Sequence, residues 1–386
     1  MTKDLTYVCK YLKALVIPHT PDNFFVAERF RHGLTDEEIH KGIEAFREFL
    51  YALFDELAIN KDKIDVETGK NYDPYGDNGP RGNGNIKYCF PIINDLAITL
   101  FSLGFHGKLE TEPEKRLTVE REDMLKVICP VTEKYHSLIK MKLERKKEVF
   151  YFLSSLGICF NNTNFSKTGT FNITYDKNAF FIIGLKLIAE ATMNNRDYIK
   201  IENLFGSAFF RCDFYPLANM VPKKHIKKIK EYANAQSPEI REWIIEIDTF
   251  LTNNDCTISN VLSDEFIYTK RKNKNRKGMV CKIYMGIMGC YITPGINHLE
   301  NPDNILYLLP DSIMDLMKAK AERECGWCAY SRRNPDVIQC KQGCPFKFTH
   351  EGIEYLKCRY AEFKIPLDNV SHRKYVKKWL EMEITI

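Results

Sequence analysis

The chain has 386 residues, 44% of them hydrophobic and 28% charged, the composition of a folded globular protein of two or three domains rather than a disordered tail. No window reaches the ~18 uninterrupted apolar residues that a bilayer span needs, so no membrane partner is expected. The balance of 56 basic and 51 acidic residues, +5 overall, is too small to announce nucleic acid by itself.

Met1-Thr2-Lys3-Asp4 lacks the basic, apolar and small-residue regions of a secretory signal, so a cytoplasmic location is expected. Residues 1–60 form an N-terminal helical region. Thr35 followed by Asp36, Glu37 and Glu38 is an N-cap with an acidic first turn. Ile39, Ile43, Phe46, Leu50, Leu53 and Leu57 then recur at helical spacing. Residues 61–87, with Gly69, Gly76, Gly79, Gly82 and Gly84 beside Pro74 and Pro80, read as a Gly-rich linker. Within it, Tyr75–Asn85 holds Arg81 ahead of a helix, where a phosphate could meet free N–H groups, but it matches neither Gly-rich phosphate template.

Residues 88–253 read as a helix-rich α+β domain containing an internal echo. A helix to Leu103 runs through Ser102-Leu103-Gly104 into the short strand-like runs at Lys108–Glu110 and Leu117–Val119, with a second helix from about Arg121. Val149–Ser155 runs through Leu156-Gly157 into Gly169–Tyr175 and a helix over Asn178–Thr192. In both copies Ser-Leu-Gly is read as a helix stop. Helix, hairpin, helix is the order of a winged-helix-like unit. A further helical stretch, Pro216–Asn253, carries a basic stripe from Lys223 to Lys230 and a Ser237-Pro238 cap.

The period then changes from helical to alternating. Residues 254–320 are expected to hold an antiparallel β-meander of four strands, at 265–269, 279–285, 289–293 and 305–309, closed by a helix from Asp311. Residues 321–386 make a Cys-rich module and a final helix at Ser371–Met382. The fold class is therefore α+β: a helical N-terminal half with winged-helix-like units, an antiparallel meander and a C-terminal zinc-ribbon-like module.

Of 13 cysteines, eight lie singly (Cys9, Cys89, Cys129, Cys159, Cys212, Cys256, Cys281, Cys290) and read as buried thiols that pack like small hydrophobes. The other five, Cys325, Cys328, Cys340, Cys344 and Cys358, cluster in one window. Cys325-x-x-Cys328 supplies two sulfurs from one tight loop, and Cys340-x-x-x-Cys344 supplies a second pair, the four corners a structural Zn²⁺ requires. Cys358 can replace Cys340 or Cys344, and His350 is a further donor. An iron–sulfur cluster would also accept these sulfurs and ranks behind zinc. A closed four-ligand site organises a module and leaves no vacancy for catalysis.

Lys270, Arg271, Lys272, Lys274, Arg276 and Lys277 put six cations into eight residues, in the loop of a β-hairpin. Such a segment suits phosphate contacts, because each ion pair releases counterions from the nucleic acid. The plain alternative is a solvated turn. Lys140–Lys147 adds a third basic patch. No nucleophile elbow, zinc-protease helix or comparable signature is present, so no catalytic residue is named and enzymatic activity stays open.

Cys325-x-x-Cys328 with Gly352-x-x-Tyr355-x-Lys357-Cys358, ahead of a short strand and a closing helix, resembles the C-terminal region of hypothetical proteins from anaerobic Gram-positive bacteria. That resemblance covers the last sixty residues or so, implies a bacterial, cytoplasmic protein, and transfers no activity. The expectation is a non-enzymatic, zinc-stabilised protein binding DNA or RNA, or a protein partner, through its basic hairpin. The alternatives are an enzyme acting on a phosphorylated or nucleotide substrate in an inter-domain cleft, and a plain interaction scaffold.

Overall fold

The structure is a computed structural model that describes residues 5–21, 24–60, 91–120, 143–161, 169–194, 209–218, 229–259, 265–273, 276–286, 289–296, 305–319, 345–358 and 364–385. It is an α+β protein with antiparallel sheets, and the chain divides into two compact units that meet in sequence near residue 224. The expected linker at 61–87, with its Arg81 loop, lies outside the described residues, as does the expected helix near Arg121.

The N-terminal unit contains α1 (Leu5–Leu15), α2 (Asp36–Ile59), α3 (Pro91–His106), β1 (Lys108–Glu110), β2 (Arg116–Glu120), α4 (Leu143–Ser155), β3 (Ile158–Phe160), β4 (Thr170–Tyr175) and α5 (Phe180–Asn194). The start of α2 follows the sequence signal. Thr35 accepts from the Glu38 N–H, and the Glu38 carboxylate returns to the Thr35 N–H, a reciprocal capping box. The Thr35 N–H and the Thr35 hydroxyl both donate to the Glu38 carboxylate at 3.0 Å and, with the Lys115 charge nearby, hold that carboxyl below its ordinary value despite some opposing desolvation.

Helix α5 is the axis of this unit. Phe181 to Ala189 are buried without interruption, as expected of a helix that is apolar all round. Its backbone comes so close to α2 that a Cβ on Gly184 would lie 2.0 Å from the Gly42 carbonyl oxygen. Gly104 has the same purpose on the other side, where a Cβ would stand 2.4 Å from the Leu185 carbonyl oxygen. Gly104 is therefore not the expected helix stop: α3 continues to His106, and Gly107 follows. Gly157 is a true stop, at φ +104° after α4. Around the crossing, the Phe49 and Phe181 rings sit 4.5 Å apart and Phe46 and Phe209 5.2 Å apart.

Each echo copy is a helix followed by a hairpin, the element order behind the winged-helix expectation. The two hairpins share one four-stranded sheet, ordered β1-β2-β4-β3. The inner strands pair antiparallel, Leu117 with Ile173 and Val119 with Phe171, so the copies are related by a local dyad running through the sheet.

The C-terminal unit contains α6 (Ile229–Ala233), α7 (Pro238–Asn253), β5 (Thr257–Ser259), β6 (Glu265–Asn273), β7 (Arg276–Gly286), β8 (Gly289–Pro294), α8 (Asp311–Ala319), β9 (Pro345–His350), β10 (Ile353–Cys358), β11 (Ile365–Pro366) and α9 (Arg373–Thr385). Its main sheet is ordered β11-β8-β7-β6-β5, antiparallel throughout. Three of the four expected meander strands are present as β6, β7 and β8. The fourth is not a strand: Ile305–Leu308 forms a 3₁₀ turn. Leu306 and Leu309 are buried while Tyr307 and Leu308 are exposed, a spacing of three rather than two, and the Leu309 N–H returns to the Leu306 carbonyl at 3.2 Å. The edge it would have occupied is taken by β11, whose Pro366 cannot extend the ladder. Across the sheet, Trp379 of α9 is fully buried and donates its indole N–H to the Gly295 carbonyl at 2.8 Å. Tyr268 of β6 donates to Asp248 of α7 at 2.8 Å.

Candidate functional site

The basic segment forms the end of the β6–β7 hairpin, with Arg271 opposite Lys277 and Asn273 opposite Arg276. Its neighbours are shorter. β5 pairs with β6 only up to Thr269, and β8 pairs with β7 only from Cys281, while Gly295 bonds the Val280 carbonyl. Among the described residues, positions 270–273 and 276–278 therefore pair only with one another, as a two-stranded arm reaching about 14 Å past the sheet at ~3.4 Å per residue.

Lys270 lies at the root of this arm, on the same face as the buried Phe266 and Tyr268. It is half-buried and its Nζ donates to the Ile384 carbonyl at 2.9 Å, in the last turn of α9, where the helix dipole favours a cation. Lys270 thus braces the arm rather than presenting a charge to a ligand, a correction to its expected role. Arg271, one residue on, is exposed on the opposite face. The side chains of Lys272, Arg276 and Lys277, and Lys274 altogether, lie outside the described residues. The whole net charge belongs to this half of the chain: residues 224–386 carry 26 Lys and Arg against 21 Asp and Glu, and residues 1–223 carry 30 of each. Of the other two basic stretches, residues 143–147 lie in the first turns of α4 with their side chains outside the described residues, and Lys223–Lys230 is described only at Ile229 and Lys230.

Of the expected metal ligands, Cys325, Cys328, Cys340 and Cys344 lie outside the described residues. Cys358 is the last residue of β10 and pairs in register with Pro345, the residue after Cys344. The hairpin register thus brings sequence positions 345 and 358 to one end. His350 belongs to the other end, opposite Ile353 beside the Glu351–Gly352 turn, about 17 Å of strand away, where it faces the Glu351 carboxylate at 3.5 Å. His350 is therefore set apart from Cys358. Among the described residues no group of three or more His, Cys, Asp or Glu side chains is placed to hold a metal ion.

The single cysteines follow the packing expectation at Cys9, Cys212, Cys256, Cys281 and Cys290, which are buried; Cys89 and Cys129 lie outside the described residues. Burial pushes the Cys212 thiol up to about 12, so it is protonated and inert as a nucleophile at neutral pH. Cys159 departs from the expectation. It is exposed, because strand alternation turns Ile158 inward and Cys159 outward within an apolar run.

One polar cluster escaped sequence reasoning. On the apolar helix α5, Lys186 donates to the Phe105 carbonyl at 2.9 Å and pairs with Glu190 at 3.1 Å, and Glu190 meets His32 Nε2 at 2.8 Å. Burial raises the Glu190 pKa, but the His32 hydrogen bond and the Lys186 charge outweigh it and hold the carboxyl below its ordinary value. The available signal was a Lys and a Glu four residues apart in an otherwise apolar helix. The three groups satisfy one another and tie α5 to the turn before α2. A second buried cation, Arg47, donates from Nε to the Ile17 carbonyl at 2.7 Å and pairs with Glu44.

Among the described residues no helix is long and apolar enough to cross a membrane. No family model, curated protein or solved structure matches the chain.

Proposed function

We propose that the protein binds nucleic acid without catalysis, through the cationic arm formed by β6 and β7. One observation carries the reading: the strands outlast both their neighbours, so backbone positions 270–273 and 276–278, which hold five of the six clustered cations, extend past the strands that flank them on a ribbon braced at Lys270. An ordinary solvated turn needs neither the added strand length nor the brace. In this reading a structural Zn²⁺ held by four of Cys325, Cys328, Cys340, Cys344 and Cys358 organises the Cys-rich module beside the β9–β10 hairpin.

The test replaces Arg271, Lys274, Arg276 and Lys277 together by Ala and leaves the bracing Lys270 in place. If each cation neutralises one phosphate, the slope of log affinity against log salt becomes shallower by about 0.9 per contact, or about 3.6 for the four. Far-UV circular dichroism and the urea midpoint should match the parent, because Arg271, Arg276 and Lys277 lie beyond the part of the sheet that β5 and β8 cover. Unchanged DNA and RNA retention in a folded variant overturns the proposal.

A further inference from the structure

We infer that the C-terminal unit carries a nucleophilic serine, Ser312, with His372 as its general base and esters of small apolar acids as its substrate class. The site lies outside the cationic arm and does not depend on the nucleic-acid reading. Two elements far apart in sequence assemble it. Ser312 stands exposed in the first turn of α8, and His372 ends a 3₁₀ turn, Val370–His372, that leads into α9. The Ser312 Oγ lies 2.9 Å from the His372 Nε2, within the reach a base needs to take a hydroxyl proton.

The neighbouring groups set the protonation state. The Asn369 Oδ1 accepts from the Ser371 N–H at 3.1 Å and from the Ser371 hydroxyl at 2.7 Å, which leaves the Asn369 NH₂ to donate to His372 Nε2 at 3.0 Å. Nε2 is therefore the accepting nitrogen, and the ring proton belongs to Nδ1. Burial, with 3% of the residue exposed, keeps the imidazole in the neutral form that takes a proton. The Asp368 charge opposes that effect and favours the imidazolium once it forms. Among the described residues Nδ1 has no hydrogen-bond partner, a cost that packing does not explain and that an imidazole kept for proton transfer does. Ser312 also sits at the positive end of α8, which favours negative charge developing on an attacked carbonyl. Exposed apolar side chains, Tyr307 and Leu308 on the turn before α8 and Val370 on the turn before α9, give an apolar acyl group a surface to meet.

In the reaction, Oγ bonds to the ester carbonyl carbon as its proton passes to Nε2. The bond from that carbon to the alcohol oxygen breaks, and the alcohol leaves with the proton. Water then attacks the acyl-serine, gives a proton to Nε2 and releases the acid as Ser312 regains its hydrogen.

The experiment treats the full chain with a biotinylated fluorophosphonate, locates the label by peptide mass spectrometry, and follows hydrolysis of p-nitrophenyl acetate. One label per chain on Ser312 and a stoichiometric burst of p-nitrophenol are expected. Ser312→Ala should lose both, and His372→Gln, shown to be folded by far-UV circular dichroism, should slow both by about 100-fold or more. Ser371 is the internal control: it is exposed and adjacent to His372 in sequence, but its hydroxyl is bonded to Asn369, so it should stay unlabelled. Absence of label on Ser312, equal labelling of Ser371, a burst that survives Ser312→Ala, or an unchanged rate in folded His372→Gln overturns the inference. Should His372→Gln fail to fold, the label position in the parent and the burst in Ser312→Ala decide, because the Ser312 side chain is exposed.

Discussion

Gly184→Ala tests the packing of the N-terminal unit, because two effects predict opposite signs. In an exposed helix the substitution stabilises by up to about 1 kcal/mol, since Ala loses less backbone entropy than Gly. At this position the new Cβ would stand 2.0 Å from the Gly42 carbonyl oxygen and 2.7 Å from the Phe46 Cβ. Backbone cannot rotate away, so α2 and α5 must separate by more than an ångström and loosen the Phe46, Phe49 and Phe181 contacts. Overpacking of this kind costs about 1–3 kcal/mol and more where backbone is the obstacle, so the net expectation is a loss of about 2 kcal/mol. In urea, with a slope near 3 kcal/mol per molar, the midpoint followed by far-UV circular dichroism should fall by about 0.7 M. Gly42→Ala should cost less, because its obstacles stand farther off, the Ile183 Cγ2 at 2.6 Å and the Gly184 backbone nitrogen at 3.0 Å. A midpoint that stays or rises in Gly184→Ala would refute the close crossing.

Three further outcomes are expected. Tyr268→Phe removes a buried hydroxyl that donates to Asp248 at 2.8 Å and should destabilise the C-terminal unit by about 1.5 kcal/mol, read from Trp243 and Trp379 fluorescence during unfolding. Burial holds the His372 imidazole below its ordinary value, and its Nε2 accepts from the Asn369 amide at 3.0 Å, so protonation there is opposed. Because the folded pKa is depressed, stability is full above about pH 6.5 and falls as pH drops through the unfolded value toward the folded one; His372→Gln should flatten that slope between about pH 7 and 5. Protein purified without added metal should contain one equivalent of zinc by elemental analysis and lose stability on chelation. Iron would point to a cluster instead, and a metal-free, fully stable protein would remove the zinc reading.

Sequence patterns exposed what is local and concealed what depends on distant partners. The capping box at Thr35 and Glu38 and the stripe Ile39–Leu57 are written within one helix, and α2 begins and ends accordingly. The β6–β7 hairpin was legible from alternation up to Thr269 and from Met279, but Lys270–Lys277 reads as its loop, whereas the strands run on to Asn273 and from Arg276. Ile305–Leu309 was not, since a short apolar run suits a strand or a 3₁₀ turn until its neighbours choose. Gly104 reads as a stop by composition but is a contact point with Leu185, a residue 81 positions away. The division near residue 224 passes through the 88–253 stretch that helical character alone would unite. For the candidate site, the cations were visible in the sequence. That β6 and β7 carry most of them past their neighbouring strands was hidden, because it follows from where β5 and β8 end.

The shared sheet of the N-terminal unit behaves as a dimer written into a single chain. Each half supplies an inner strand whose hydrogen bonds are completed by the other half, Leu117 and Val119 on one side answering Ile173 and Phe171 on the other. A fragment ending after Glu120 would leave β2 with a raw apolar edge, and the readiest match for that edge is a second fragment in the same orientation. Truncation should therefore yield an intermolecular pair or an aggregate in place of a smaller folded monomer.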